Sequence, residues 1–305
     1  MTEEARSILP VAAELGEGPV WVPRDQALWF VDIAGRSVHR FHPDSGQHTT
    51  WAAPDKATFV LPLDTGGHVV GLNGALTHFN AANGEFRHLM DVEPERDENR
   101  LNDACVSPQG ELWFGSMHDP ECELTGSLYR LCSQGRLYTM DQGYVVTNGP
   151  AFSPDGRTFY HTDTLSRVVY AFDCSADGAL SGKRVLVKIE ANAGFPDGTC
   201  TDAEGCLWIA LWAGWEARRY SPAGVLLERV RFPCANITKL AFGGVDHQTL
   251  FATTAWRGMS AVERCAQPCA GDLFSFHTET PGLAPVPLRL RTTQAARPYA
   301  ARRNS

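Results

Sequence analysis

The stretch Val146-Thr-Asn-Gly-Pro-Ala-Phe-Ser-Pro-Asp-Gly-Arg-Thr-Phe-Tyr-His161 sets the phase of the whole chain. Asn148 opens it and a short apolar strand follows. Ser153-Pro-Asp-Gly156 has the residue types of a tight turn, and a second strand runs through Phe159 and Tyr160. The same order recurs along the chain. Strands of β-branched and aromatic residues stand at 28–33, 68–72, 112–116, 158–162, 207–211 and 249–253. Each is followed by an aromatic-containing strand and a Gly-bearing turn. In the first half these are Ser37-Val-His-Arg-Phe41 to Gly46, Ala75-Leu-Thr-His-Phe79 to Gly84 and Ser127-Leu-Tyr-Arg-Leu131 to Gly135. The second half continues with Val168-Val-Tyr-Ala-Phe172 to Gly178, Glu216-Ala-Arg-Arg-Tyr220 to Gly224 and Asp272-Leu-Phe-Ser-Phe276 to Gly282.

Each unit therefore reads strand, turn, strand, loop, strand, turn, strand. One such sheet cannot bury both its faces, so successive units must stack. Radial closure of six gives an all-β fold, a six-bladed β-propeller of four-stranded antiparallel blades. Residues 1–291 are expected to form this single domain. Residues 292–305, rich in Ala and Arg without periodicity, are expected to be a disordered tail. The last repeat is stretched by residues 259–270, which hold Cys265 and Cys269 and read as a surface insertion. Either terminus can supply the strand that closes the ring.

Composition excludes several function classes. The net charge of −8 is spread without long runs, so neither a nucleic acid nor an anionic membrane is an expected partner. The first residues lack the apolar core of a leader, and no run of 18 apolar residues occurs. Nine Cys is an odd number, without a Cys-x-x-Cys pair or a Cys/His cluster, which fits reduced thiols in a cytoplasm.

Placing the units in phase shows what stands at the start of each innermost strand. The positions are Glu17, Thr58, Asn102, Asn148, Asp197 and Thr238, at intervals of 41, 44, 46, 49 and 41 residues. Equivalent positions of successive blades lie on one ring around the propeller axis. Glu17, Asn102, Asn148 and Asp197 are thereby expected to converge, although far apart in sequence. The chain supplies its own control: Pro154-Asp155-Gly156 repeats Pro196-Asp197-Gly198 but falls where a turn is needed anyway, whereas Asp197 has no such duty.

Two carboxylates and amide carbonyls facing a channel make a hard oxygen site for one divalent metal ion, with Glu17, Asn148 and Asp197 as ligands. Three protein ligands leave positions for water and substrate. No His or Cys shares the ring, and Ca, Mg, Mn, Fe and Zn all stay open. His118 and His161, on or beside second strands, read as structural. Phe59, Phe195, Trp212 and Trp215 lie near the ring phase and either wall the pocket or fill the core between blades. Lys239 follows the sixth ring position.

Several motifs resemble the regucalcin/gluconolactonase family (senescence marker protein-like) of six-bladed propellers. They are Gly16-Glu-Gly-Pro19, Leu28-Trp-Phe-Val-Asp-Ile33, Arg100-Leu-Asn-Asp103, Gly110-Glu-Leu-Trp-Phe-Gly115, Asn148-Gly-Pro150, Pro196-Asp-Gly198 and Phe242-Gly-Gly244. Trp113-Phe-Gly-Ser-Met-His-Asp119, Tyr160-His-Thr-Asp-Thr164, Ala210-Leu-Trp212 and Asn236-Ile-Thr-Lys239 are similar to the bacterial sugar lactonases, xylonolactonase above all. The resemblance implies that Glu17, Asn148 and Asp197 are metal ligands and that Arg100 and Asn102 contact substrate hydroxyls, with Asp103 following in the same motif. Leu101 stands where these lactonases often carry Pro.

The implied activity is hydrolysis of a sugar-acid lactone, a five-carbon aldonolactone such as xylono- or arabinonolactone, with Asp197 as general base. The partner is then a small sugar lactone, and the protein is expected to be a monomer. Two rival readings are a regucalcin-type calcium-binding regulatory protein and a phosphotriester hydrolase on the same architecture. A pure ion binder has no use for the hydroxyl contacts of Arg100 and Asn102. A nucleophilic mechanism finds no support, since there is no Gly-x-Ser-x-Gly elbow and no Ser, His and Asp set in phase.

Overall fold

Each repeat folds as an antiparallel sheet in the computed structural model, which describes residues 4–291 and 297–299. Blades 1 to 6 start from the innermost strands Gly16–Val22, Ala57–Pro62, Asn99–Val106, Thr147–Phe152, Phe195–Thr201 and Asn236–Gly243. In blades 1 to 5 the chain then steps outward strand by strand. The apolar side chains of neighbouring blades meet between the sheets. Second strands contribute Trp29, Trp113, Phe159 and Trp208 at equivalent positions, all fully buried. Opposite each Trp the third strand presents an arginine, Arg40, Arg130 or Arg219.

One irregularity is common to all six blades. The pairing between innermost and second strands slips at Glu17/Val20, Ala57/Phe59, Leu101/Ala104, Asn148/Ala151, Pro196/Thr199 and Ile237/Lys239. A bulge bends its strand and re-aims a side chain. The six ring positions read from the repeat all fall at these slips. Gly149 illustrates the local requirement: its φ is +55°, and a Cβ there would lie 2.5 Å from Thr162 Oγ1 and 2.6 Å from Thr199 Oγ1.

The N-terminus closes the ring. Arg6–Leu9 pairs antiparallel with Leu273–His277 as the outermost strand of blade 6, and Ser7 Oγ donates to Asp272 Oδ2 at 2.7 Å. Deleting residues 1–9 would leave the Leu273–His277 edge unpaired and remove the contacts of Ile8 and Leu9 with the core. A thermal midpoint lower by on the order of 5 °C is expected in a melting scan, and an unchanged midpoint would show that the strap is dispensable.

The other end of the chain crosses the far mouth of the channel. Pro281 O accepts from Ala203 N at 2.9 Å, Leu288 N donates to Pro62 O at 2.8 Å and Arg291 N to Ser133 O at 3.0 Å. Of the tail expected over 292–305, Arg297–Pro298 pairs with the outer strand of blade 2, Glu85–Asp91, and Tyr299 N donates to Phe86 O at 3.1 Å. The remainder lies outside the described residues. The insertion in blade 6 carries a short helix, Ala261–Ala266, capped reciprocally by Ser260 and Glu263. No helix among the described residues is long and apolar enough to cross a membrane, and all nine cysteines are free.

Candidate active site

A cavity of about 400 Å³ opens at the end of the channel where the innermost strands begin. Its lining includes Glu17, Arg100, Asn102, Asn148 and Asp197, from blades 1, 3, 3, 4 and 5. Five of the residues singled out in the sequence are thus brought together. Thr58 and Thr238 complete the ring but bond within the wall: Thr58 Oγ1 donates to Gly71 O at 3.3 Å and Thr238 Oγ1 to Gly16 O at 2.6 Å.

A chain of hydrogen bonds holds the amides. Arg100 donates from Nε to Asp119 Oδ1 at 2.7 Å, and from Nη1 to Leu101 O at 3.0 Å and Asn102 Oδ1 at 2.6 Å. Asn102 Nδ2 in turn donates to Thr147 O at 2.7 Å and to Asn148 Oδ1 at 2.8 Å. Asn148 Nδ2 donates to Thr164 Oγ1 at 3.1 Å. Both nitrogens of the pair are therefore engaged, which fixes the Asn148 carbonyl oxygen in the ring. Lys56 pairs with the same Asp119 and holds it in place.

The two ring carboxylates are in a different situation. Glu17 is 6% exposed and Asp197 5%. Glu17 Oε2 accepts from the Gly18 amide at 2.9 Å, but Asp197 Oδ1 is buried without a hydrogen-bond partner among the described residues. Burial, then the neighbouring Asp103 charge, pushes Glu17 up to about 8. Burial, then Glu17 and Asp103, likewise holds Asp197 well above the ordinary carboxylate range.

Asp103 does not line this cavity. Its carboxylate accepts from the amides of Ala104 at 2.7 Å and Gly149 at 2.9 Å, and from Lys239 Nζ. Lys239 is buried beneath the ring, and its ammonium also donates to Ala104 O at 2.9 Å. Its stem packs on Gly198, next to Asp197, where a Cβ would collide with it. The Lys239–Asp103 pair thus supports the backbone beside Asn148 and Asp197 at once. Lys239 also lines a second, largely apolar cavity of about 380 Å³ on the far side, enclosed with Phe152, Phe242 and the crossing segment 283–286.

The aromatic candidates separate. Phe195 and Trp212 wall the cavity, Phe59 packs between blades 2 and 3, and Trp215 is 41% exposed away from it. His118 Nδ1 accepts the Glu123 amide at 3.2 Å and shapes the loop bearing Asp119 and Glu121. His161 is buried against Tyr144. The repeat pattern did not single out Met117, Glu121, Thr164, Leu165, Arg257 and Gly258, which also line the cavity. All of them lie at the end of a second strand or in the loop that follows it. Antiparallel pairing returns that loop to the same mouth as the ring positions, and this was the signal available in the sequence.

Comparison with known proteins identifies the family and agrees with the fold. The sequence profile of the "SMP-30/Gluconolactonase/LRE-like region" matches residues 15–256. The chain is 32% identical to a 6-deoxy-6-sulfogluconolactonase of Pseudomonas putida over 93% of its own length and 98% of the relative's. It is 34% identical to an L-arabinolactonase of Azospirillum brasilense, with 88% and 90% covered. Among solved structures, a calcium-binding regucalcin of Agrobacterium tumefaciens superposes with a TM-score of 0.90 at 27% identity, covering 95% of this chain and 99% of that one. With Glu17, Asn102, Asn148 and Asp197 set on four of six matching bulges, the chain belongs to the SMP-30/gluconolactonase/regucalcin family of six-bladed propellers.

Proposed function

We propose that this protein hydrolyses a sugar-acid lactone to the open-chain acid, using one divalent cation held by Glu17, Asn148 and Asp197. The observation that carries the reading is the partnerless Oδ1 of Asp197 beside a second buried carboxylate. Charge counting supports a cation of this valence. When ionised, Glu17, Asp197 and Asp103 carry three negative charges against the ammonium of Lys239, and a divalent ion would offset the remaining two. The donors are all oxygens, two carboxylates and an amide, which suits a hard or borderline ion such as Ca²⁺, Mg²⁺, Mn²⁺, Fe²⁺ or Zn²⁺. Two of the relatives bear lactonase names, and a solved neighbour is a calcium-binding protein.

The bound ion supplies Lewis-acid polarisation of the lactone carbonyl and stabilises charge that develops on its oxygen. The protein's own groups do the rest. Asp197 takes a proton from the attacking water with its free oxygen, as a general base. Arg100 and Asn102 hold sugar hydroxyls, while Phe195 and Trp212 pack on the ring carbons of the sugar.

Pentono- and hexonolactones, with a phosphotriester as comparison, would be followed by pH indicator after subtraction of spontaneous opening. Turnover of at least one aldonolactone is expected. Turnover of the phosphotriester alone would replace this reading by the phosphotriesterase one.

The cation has a second consequence. Glu17 and Asp197 bind protons more tightly in the folded protein than unfolded, so their protonation favours the fold at low pH. In the metal-free protein that contribution is present below about 4.5 and is lost as pH rises toward about 8. The thermal midpoint of chelator-stripped protein is therefore expected to fall across this window, and saturating metal should flatten the fall. Parallel pH profiles with and without metal would contradict the assignment.

A further inference from the structure

The cavity holds a second arginine that the proposed chemistry does not use. Arg257 lies in the blade 6 loop after Thr249–Ala255, and its backbone is pinned from both sides. Its amide donates to Glu14 O at 2.9 Å, and its carbonyl accepts from Asn236 Nδ2 at 3.4 Å. Before it, Trp256 Nε1 donates to Ala12 O at 2.9 Å. The loop is thus built to hold position 257 at the mouth. Yet Arg257, half-buried, lines the cavity, and its guanidinium makes no ion pair or hydrogen bond among the described residues.

Its surroundings carry mixed charge. Arg100 lies near enough to be repelled by it. Arg100 is itself balanced by Asp119, which Lys56 shares. The exposed Glu121 is the other rim carboxylate in the cavity, and Glu17 and Asp197 lie on the floor. Once a divalent ion balances the floor, the unsatisfied charge at the mouth is positive. Arg167 adds to it, with its guanidinium 3.9 Å from the centroid of the wall residue Phe195. A guanidinium left open in a partly dry cavity is a site for planar, multidentate anion recognition.

We propose that Arg257 is a specificity-determining residue that receives an anionic substituent, a sulfonate, phosphate or carboxylate, carried by the sugar lactone away from its reacting carbonyl. This rests on the lactonase reading and narrows its substrate class. With the reacting group on the cavity floor, a sugar ring spans toward the mouth, and its far substituent meets Arg257.

The test uses metal-loaded protein and matched lactones differing at one carbon: gluconolactone, its 6-phosphate, its 6-deoxy-6-sulfonate and the glucaric acid 1,5-lactone, which carries a free carboxylate at the same carbon. The expected result is kcat/KM at least about tenfold higher for one or more of the anionic lactones than for gluconolactone, carried mainly by KM and shrinking as salt rises. Arg257→Gln should remove that preference while leaving gluconolactone turnover within about twofold, and Arg257→Lys should keep part of it. The three anionic arms distinguish sulfonate, phosphate and carboxylate. Equal turnover of neutral and anionic lactones, or equal losses on all of them in Arg257→Gln, would overturn the inference and leave the lactonase reading standing. No turnover of any lactone would overturn both. Titration of gluconate against 6-phosphogluconate supplies a readout independent of chemistry, and equal affinity for the two would also count against Arg257.

Discussion

Asp197→Asn should abolish lactone turnover and at the same time stabilise the metal-free protein. The two effects come from one feature. In the wild-type protein Asp197 is a buried carboxylate that faces Glu17 with one oxygen unpartnered. The amide removes a ligand charge and the proton acceptor together, so kcat should drop by about a thousandfold or more. It also removes like-charge repulsion within a desolvated pair. The apo thermal midpoint should rise by about 2–4 °C, the equivalent of about 1 kcal/mol in a domain of this size. Functional sites commonly hold such locally unfavourable arrangements. Added metal, which should raise the wild-type midpoint, should leave the variant unmoved. A variant that keeps turnover, or one whose apo midpoint falls sharply, would mean that Asp197 has a structural duty instead.

Lys239→Met is expected to be among the most destabilising single changes in the molecule, although Lys239 does not line the candidate active-site cavity. Its ammonium is the one cation bonded to Asp103 among the described residues, and both side chains are buried. Removing it leaves Asp103 as a third uncompensated carboxylate below Glu17 and Asp197. Breaking one side of a buried pair costs about 3–5 kcal/mol, whereas replacing both sides by groups of similar shape is close to neutral. The double variant Lys239→Met/Asp103→Asn should therefore recover most of the loss in a denaturant titration. Asn can still accept the amide of Gly149 that Asp103 accepts, so the turn beside Asn148 should persist. A double variant as unstable as the single one would show that packing of the Lys239 stem on Gly198, and not its charge, is what matters.

The repeat made the architecture legible because a blade needs the same four strands each time. Leu112-Trp113-Phe114 and Leu207-Trp208-Ile209 announce the same strand in two blades, and the structure buries both tryptophans alike. Convergence at the ring was legible for the same reason, and the bulges at Glu17, Asn148 and Asp197 show why these side chains turn inward. Ring phase could not say which face of a bulge a neighbouring residue takes. Asn102 and Asp103 are adjacent, yet one enters the cavity and the other turns beneath it to Lys239. Arg257 was hidden by its place in a loop of irregular length, where the period gives no register. Closure by the N-terminal strand was hidden as well, since Arg6–Leu9 is only four residues long and borrows its pattern from Leu273–His277.

The central claim, that Glu17, Asn148 and Asp197 hold the cation on which lactone hydrolysis depends, is tested most directly by one titration. Protein stripped with chelator would receive single divalent metals one at a time, with aldonolactone hydrolysis followed continuously by pH indicator. Negligible enzymatic rate in the stripped protein is expected, with turnover restored at one equivalent of a competent ion and no restoration in Asp197→Asn. Full turnover by the stripped protein, or restoration by metal in the variant, would contradict the account.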